Sequence, residues 1–278
     1  MNRNKIVRLA CWLCLVVFAA SGVMLITRLA EFRAGEEFYE QVGKGRASAP
    51  PALPPDSPPA GAAGQETEKA PAELPELSVR LLQVHGEYPD AAAWLQIPGT
   101  PVDYPVMLGE DNQFYLNHLP DGSENALGSL FFDCRTDENS RHLIVYGHNG
   151  SRGRMFGALK RYEAREYGLG HGTLTMAAAD AVYACPVFSV RRVAADSGAY
   201  TLEFEDQDGL AVYIRQAAAE SLYSMEVDPD KAAGVLTLST CTGRSDQRLL
   251  VQAMIPDAPG GSASRRSGCP GEAAAFRN

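Results

Sequence analysis

Residues 9 to 27, LACWLCLVVFAASGVMLIT, run for nineteen positions without a charge, and no other feature constrains the chain as much. A helix rises about 1.5 Å per residue, so this stretch spans about 28 Å, close to the hydrocarbon thickness of a bilayer. Arg3, Lys5 and Arg8 precede it. That asymmetry predicts a cytoplasmic N-terminus over residues 1–8, a single-pass anchor over 9–29 and an exported remainder. Ala19, Ala20, Ser21 and Gly22 offer the alternative of a cleaved signal peptide. The apolar run is longer than the usual signal core of about 7–15 residues, which favours the anchor. Cys11 and Cys14 form a CxxC inside the run, where they read as small apolar filler.

The formal charge of −9 is unevenly spread: residues 1–33 carry five basic side chains and one acidic, so the remainder carries −13. An acidic remainder repels phosphate backbones, which argues against nucleic acid as a partner. Residues 30–75 read as a short exposed helix followed by a spacer. Ala47 to Pro75 holds eight of the eighteen prolines, a composition that packs no core. Extended as polyproline at about 3.1 Å per residue, it would reach about 90 Å. Residues 258–278 form a low-complexity tail, leaving 76–257 as the folded domain. Cys134, Cys185, Cys241 and Cys269 are widely scattered, which is no disulfide framework. A bond between Cys134 and Cys185 stays open.

Within 76–257, Glu76–Val84 and Asp90–Trp94 have short helical composition. Eight short apolar runs bounded by Gly, Pro, Asn and Asp follow, at 94–97, 102–107, 127–132, 143–146, 173–176, 182–193, 235–239 and 249–254. That pattern predicts a closed or nearly closed β-barrel of about eight strands. Helical spacing over 155–165, with Met155, Phe156, Leu159 and Tyr162 on one face, and over 210–221 adds a few peripheral helices.

Two stretches carry chemistry. In VLTLSTCTGRSDQRLLVQAMI a strand ends near Thr240-Cys241 and another opens at Arg248, an antiparallel hairpin that sets Cys241 and Arg248 at facing strand ends. A cation beside a cysteine favours thiolate, or stabilises an oxyanion formed on its substrate. Gly243, Ser245 and Asp246 suit a loop at the rim. In HLIVYGHNGS a strand delivers His148 into a glycine-flanked turn, an arrangement suited to proton transfer. Taken alone, each of the five histidines and Cys241 also reads as a packed structural residue. No HExxH or paired CxxC marks a zinc site, no glycine loop cradles phosphate, and no cofactor is implied.

TLSTC with a following arginine that opens a strand, and YGHN upstream, resemble the active-site motifs of sortases. WLQIPGTPVDYPVMLGEDNQFYLNHLPDGSENALGSLFFD (94–133) is similar to the first half of a sortase barrel, and the segment after the histidine also fits. The resemblance covers about 76–255. The Asp90–Trp94 lead-in, the FYLNH segment and the helix around 210–221 are similar to class B sortases in particular. The resemblance implies a cysteine transpeptidase with Cys241 as nucleophile, His148 as general acid/base and Arg248 as oxyanion stabiliser. Ser239, Thr240 and Thr242, with Asn117 and Asn149, become candidate substrate contacts. The implied partners are exported proteins bearing a C-terminal sorting signal and a peptidoglycan-precursor amine, met at the outer face of the membrane. Cys134 in FFDCRTD departs from the family pattern, and the loop between Cys241 and Arg248 is short. A pilin-polymerising sortase and, in a different class, a non-catalytic anchored binding barrel are the competing readings.

Overall fold

The computed structural model describes residues 3–44, 76–137, 140–178, 181–241 and 246–256, with the backbone alone for 3–11, Lys44 and Cys241. Helix α1 (Arg3–Lys44) is followed by α2 (Glu76–Glu87). Strands β1 (Ala91–Gln96), β2 (Asp103–Met107), β3 (Leu130–Phe132) and β4 (His142–Gly147) come next. After α3 (Arg165–Gly170) come β5 (Thr173–Ala177), β6 (Val182–Ala194), α4 (Gln207–Ala219), β7 (Gly234–Cys241) and β8 (Gln247–Ile255). The eight strands close into a barrel in the order β1-β2-β3-β4-β7-β8-β6-β5. Closure leaves no strand edge unpaired, which removes the usual liability of an open sheet.

Alternation along the strands sorts the side chains. Leu143, Val145, Leu236, Leu238, Leu249 and Val251 belong to the main apolar core. The intervening positions on β4, β7 and β8 face outward, where α4 covers part of them with Leu210, Ile214 and Ala217. Met155, Phe156, Leu159 and Tyr162 are all fully buried, as their shared face predicts. Phe156, Leu159 and Tyr162 sit on a 3-10 helix (Phe156–Glu163) and not an α-helix, with Met155 just before its start. Phe156, Leu159 and Tyr162 recur every three residues, the period of a 3-10 helix.

The helical reading of Asp90–Trp94 is corrected: Ala91–Gln96 is a strand, bonded to β2 on one side and β5 on the other. Three consecutive alanines favour a helix locally, but two ladders and full burial of Trp94 and Leu95 outweigh that propensity. The exposed helix expected after the apolar run is also only partly exposed. Phe32, Phe38 and Tyr39 pack on the main core and Val42 on a second cluster. Phe38 and Tyr39 share the side chain chemistry of a core, and the barrel supplies the partner that sequence alone does not reveal. The spacer over 47–75 and the tail over 258–278 lie outside the described residues. Cys134 and Cys185 are both free, so no bond joins them.

Candidate active site

Three neighbouring strands carry the motif residues to one place. β4 runs parallel to β7, with Tyr146 opposite Ser239 and Gly147 opposite Thr240. β7 runs antiparallel to β8, and its last pair is Cys241 with Arg248. His148 therefore leaves β4 one step beyond the Gly147–Thr240 pair, at the end of the ladder where Cys241 pairs with Arg248. Barrel register, and not proximity in the chain, brings positions 148, 241 and 248 to one end of one sheet.

The imidazole of His148 is held by a 3-10 turn (Phe114–Leu116): its Nε2 lies 2.6 Å from the carbonyl oxygen of Leu116. A carbonyl only accepts, so Nε2 carries hydrogen and Nδ1 is left to exchange a proton. The backbone around His148 is closed on itself, with Phe156 N–H donating to its carbonyl at 2.9 Å and Asn149 bridged to Met155. Arg248 is half-buried, and its Nη1 donates to the Gln247 carbonyl at 2.9 Å.

The other predicted contacts are placed as follows. Ser239 is buried and its Oγ lies 3.0 Å from the hydroxyl of Tyr200. Thr240 is buried too, and its hydroxyl has no hydrogen-bond partner among the described residues. Asn117 ends the Phe114–Leu116 turn and Asn149 follows His148, both exposed. Thr242, with Gly243 and Ser245 of the expected rim loop, lies outside the described residues.

Two features were not legible in the sequence. The first is Tyr200, which belongs to a short 3-10 turn (Gly198–Tyr200) between β6 and α4. Its ring stacks on Tyr146 with centroids 6.2 Å apart and planes at 23°. The turn is clamped by two side chains, half-buried Tyr213 and buried His142. Tyr213 donates to the Ala199 carbonyl at 2.8 Å, and His142 Nδ1 lies 2.6 Å from the Thr201 carbonyl. The same carbonyl argument makes Nδ1 the donor, so His142 Nε2 accepts from the Thr237 hydroxyl, 2.6 Å away. Burial strips the ring of water and holds the His142 pKa down to about 4, so it is neutral at pH 7. No short-range spacing signals Tyr200, which lies 39 residues before its partner Ser239.

The second is Asp133, fully buried behind Tyr146, whose hydroxyl donates to it at 2.9 Å. Arg135 grips the same carboxylate through Nε and Nη2, each at 2.8 Å. Burial pushes this carboxyl up, but the guanidinium, the Arg135 amide and the phenol outweigh it and bring Asp133 to about 2. The DxR spacing was the one available hint of that pair. Among the described residues no group of three His, Cys, Asp or Glu side chains could hold a metal ion.

No family model matches the chain. Among curated proteins it is 28% identical over 171 residues to sortase B of Listeria monocytogenes, a match covering 60% of this chain and 70% of that protein. Sortase B of Staphylococcus aureus is 26% identical, with the same coverage of 60% and 70%. Among solved structures, sortase B of Clostridium perfringens matches with TM-score 0.59 and 25% identity over 63% of this chain and 99% of that one. Sortase B of Listeria monocytogenes matches with TM-score 0.55 and 27% identity over 63% of this chain and 99% of that one. A Staphylococcus aureus sortase B–substrate complex shares the fold, with TM-score 0.59, 23% identity and coverage of 64% and 85%.

Proposed function

The chain belongs to the class B sortases, a family of cysteine transpeptidases, and we propose that it cleaves a C-terminal sorting motif and passes the new end to a cell-wall amine. The observation that carries the residue assignment is the barrel register, which sets position 148 beside the Cys241–Arg248 pair.

In this reading Cys241, as thiolate, attacks the backbone carbonyl carbon of the threonine in the sorting motif. The carbon–sulfur bond forms as the carbonyl π pair moves to oxygen, and Arg248 stabilises that oxyanion. Collapse of the intermediate breaks the C–N bond. The departing amine takes its proton from Nδ1 of His148, while Nε2 stays on the Leu116 carbonyl. The product is a thioester on Cys241. An amine of a peptidoglycan precursor then attacks it, gives its proton to His148 and releases the thiolate. Ser239 and Thr240, with Thr242, Asn117 and Asn149, are the proposed contacts to the motif. The hydrogen bond between Tyr200 and Ser239 and the Tyr146 stack would shape that wall of the groove. The anchor reading puts residues 1–8 in the cytoplasm and the barrel outside, where sorting signals and wall precursors meet.

The test uses the full chain in vesicles, threonine-containing sorting peptides and an added amine. Mass spectrometry should find a thioester on Cys241 and the amine-exchanged product, both lost in Cys241→Ala. Turnover should fall about 100-fold or more in Arg248→Ala, the scale of losing one oxyanion donor. Peptide cleavage without amine exchange would overturn the proposed acceptor. A Cys241 that is never acylated by any peptide would falsify the mechanism.

A further inference from the structure

We propose that α1 clamps the barrel directly against the membrane surface, so that residues 45–75 add no reach between bilayer and active site. The inference rests on α1 crossing the bilayer, and goes beyond the proposed reaction to the place where it runs. The apolar run ends at Thr27, and α1 continues without interruption to Lys44. Within about 6 Å of that end, one helical turn, the barrel already takes hold. The side-chain amide of Asn125 donates to the Glu31 carbonyl at 2.8 Å. Gly35 is buried at this crossing, and a Cβ there would come within 2.9 Å of the Asn125 amide oxygen, so a larger residue would have to displace the Asn125 side chain. Glu36 forms an ion pair with Arg154.

About 18 Å along the helix from Thr27, the hydroxyl of buried Tyr39 bonds both the Gly128 carbonyl and Ser129 Oγ, each at 2.9 Å. Its ring meets Tyr104 edge-on, centroids 5.1 Å apart. Contacts of this kind, spread over two turns with buried partners, describe a docked helix and not a flexible stalk.

The two ends of residues 45–75 make the same point independently. Val42, just before them, and Leu77, just after, pack against one cluster formed by Leu81, Val84, Trp94 and Phe131. A segment whose two ends are held on one face of the barrel cannot set the distance from barrel to membrane, whatever its length. The distance from barrel to membrane would then be set by α1 and not by the approximately 90 Å that a proline-rich spacer could reach. The docked edge also adjoins the site. Ser129, bonded to Tyr39, donates its N–H to the Tyr115 carbonyl at 2.9 Å, and the next carbonyl, of Leu116, holds His148. The candidate active site therefore adjoins the edge of the barrel that α1 holds.

The experiment is cleavage of residues 45–75 in the full chain reconstituted in vesicles. A protease site replaces residues 58–63, and the barrel is followed by sedimentation before and after cutting. The cut barrel is expected to stay with the vesicle pellet. In the Gly35→Leu, Tyr39→Ala double variant the intact chain should still pellet and the cut barrel should be lost to the supernatant. Release of the cut barrel from the otherwise unaltered chain overturns the clamp and restores a tether. Retention of the cut double variant overturns α1 as the holding element. Intact protein in the supernatant overturns the anchor, and the inference with it. None of these readouts needs transpeptidation, so they stand or fall separately from the proposed reaction.

Discussion

His148 illustrates how one backbone contact selects a chemistry. With Nε2 bonded to the Leu116 carbonyl, the ring can exchange its proton only through Nδ1. Tyr200 acts more indirectly, since its phenol reaches Ser239, two residues before Cys241. Removing that hydroxyl in Tyr200→Phe takes away one partly buried hydrogen bond, about 1 kcal/mol. We expect kcat/KM for a sorting peptide to fall several-fold and the melting temperature to drop by only about 2–4 °C, which steady-state kinetics and calorimetry would check. His142 makes a pH prediction. Its pKa is about 6.5 in an unfolded chain and about 4 here, so between those values the unfolded state binds the extra proton. Stability from this residue is intact above pH 6.5 and falls as the pH drops towards 4, by at most about 3 kcal/mol. Chemical denaturation at stepped pH should show that loss, and His142→Gln should flatten it while lowering stability at pH 7. Asp133 loses its ion pair only at lower pH, between the usual carboxylate range and about 2.

At the scale of elements, the β4–β7–β8 triplet and the turn after β4 decide whether the site assembles. That turn is tightly closed: Met155 holds a positive φ of 47°, and a Cβ on Gly157 would lie 1.9 Å from the Gly150 carbonyl oxygen. Gly157→Ala must therefore displace the backbone that closes the His148 loop. The expected result is a loss of about 1–3 kcal/mol in stability and a larger fractional loss of turnover. A variant with normal turnover would show that the loop tolerates the shift and that His148 is not held by it. On β1, by contrast, the local preference of Ala91-Ala92-Ala93 for helix is overridden by two ladders, so these alanines fit a strand that buries Trp94 and Leu95.

For the whole molecule, the barrel and the second half of α1 form one packed body. Tyr39→Phe deletes a buried hydroxyl with two partners, and a loss of about 1–3 kcal/mol is expected from thermal melts of the full chain. A chain beginning at Glu76 lacks Phe32, Phe38 and Tyr39, which pack on the main core, and leaves the Gly128 and Ser129 partners to water. Its melting temperature should drop well below that of the full chain. Equal melting temperatures would mean that the docked helix contributes nothing to barrel stability.

Much of this was legible in order along the chain. Charge-free length marks the apolar part of α1, apolar runs between turn residues mark seven of the eight strands and the end of β1, and the motifs around His148, Cys241 and Arg248 mark the candidate site. These signals are local: each depends on a period, a spacing or a short string, and burial requires such patterns wherever the partner lies. What only tertiary structure decided depends on partners distant in sequence. The strand at Ala91–Gln96, the Tyr200–Ser239 bond across 39 residues, the Leu116 carbonyl that fixes the His148 tautomer and the docking of Tyr39 on Gly128 are all of this kind. Such contacts leave no period to read, because closure of the barrel, and not propensity, brings their two halves together.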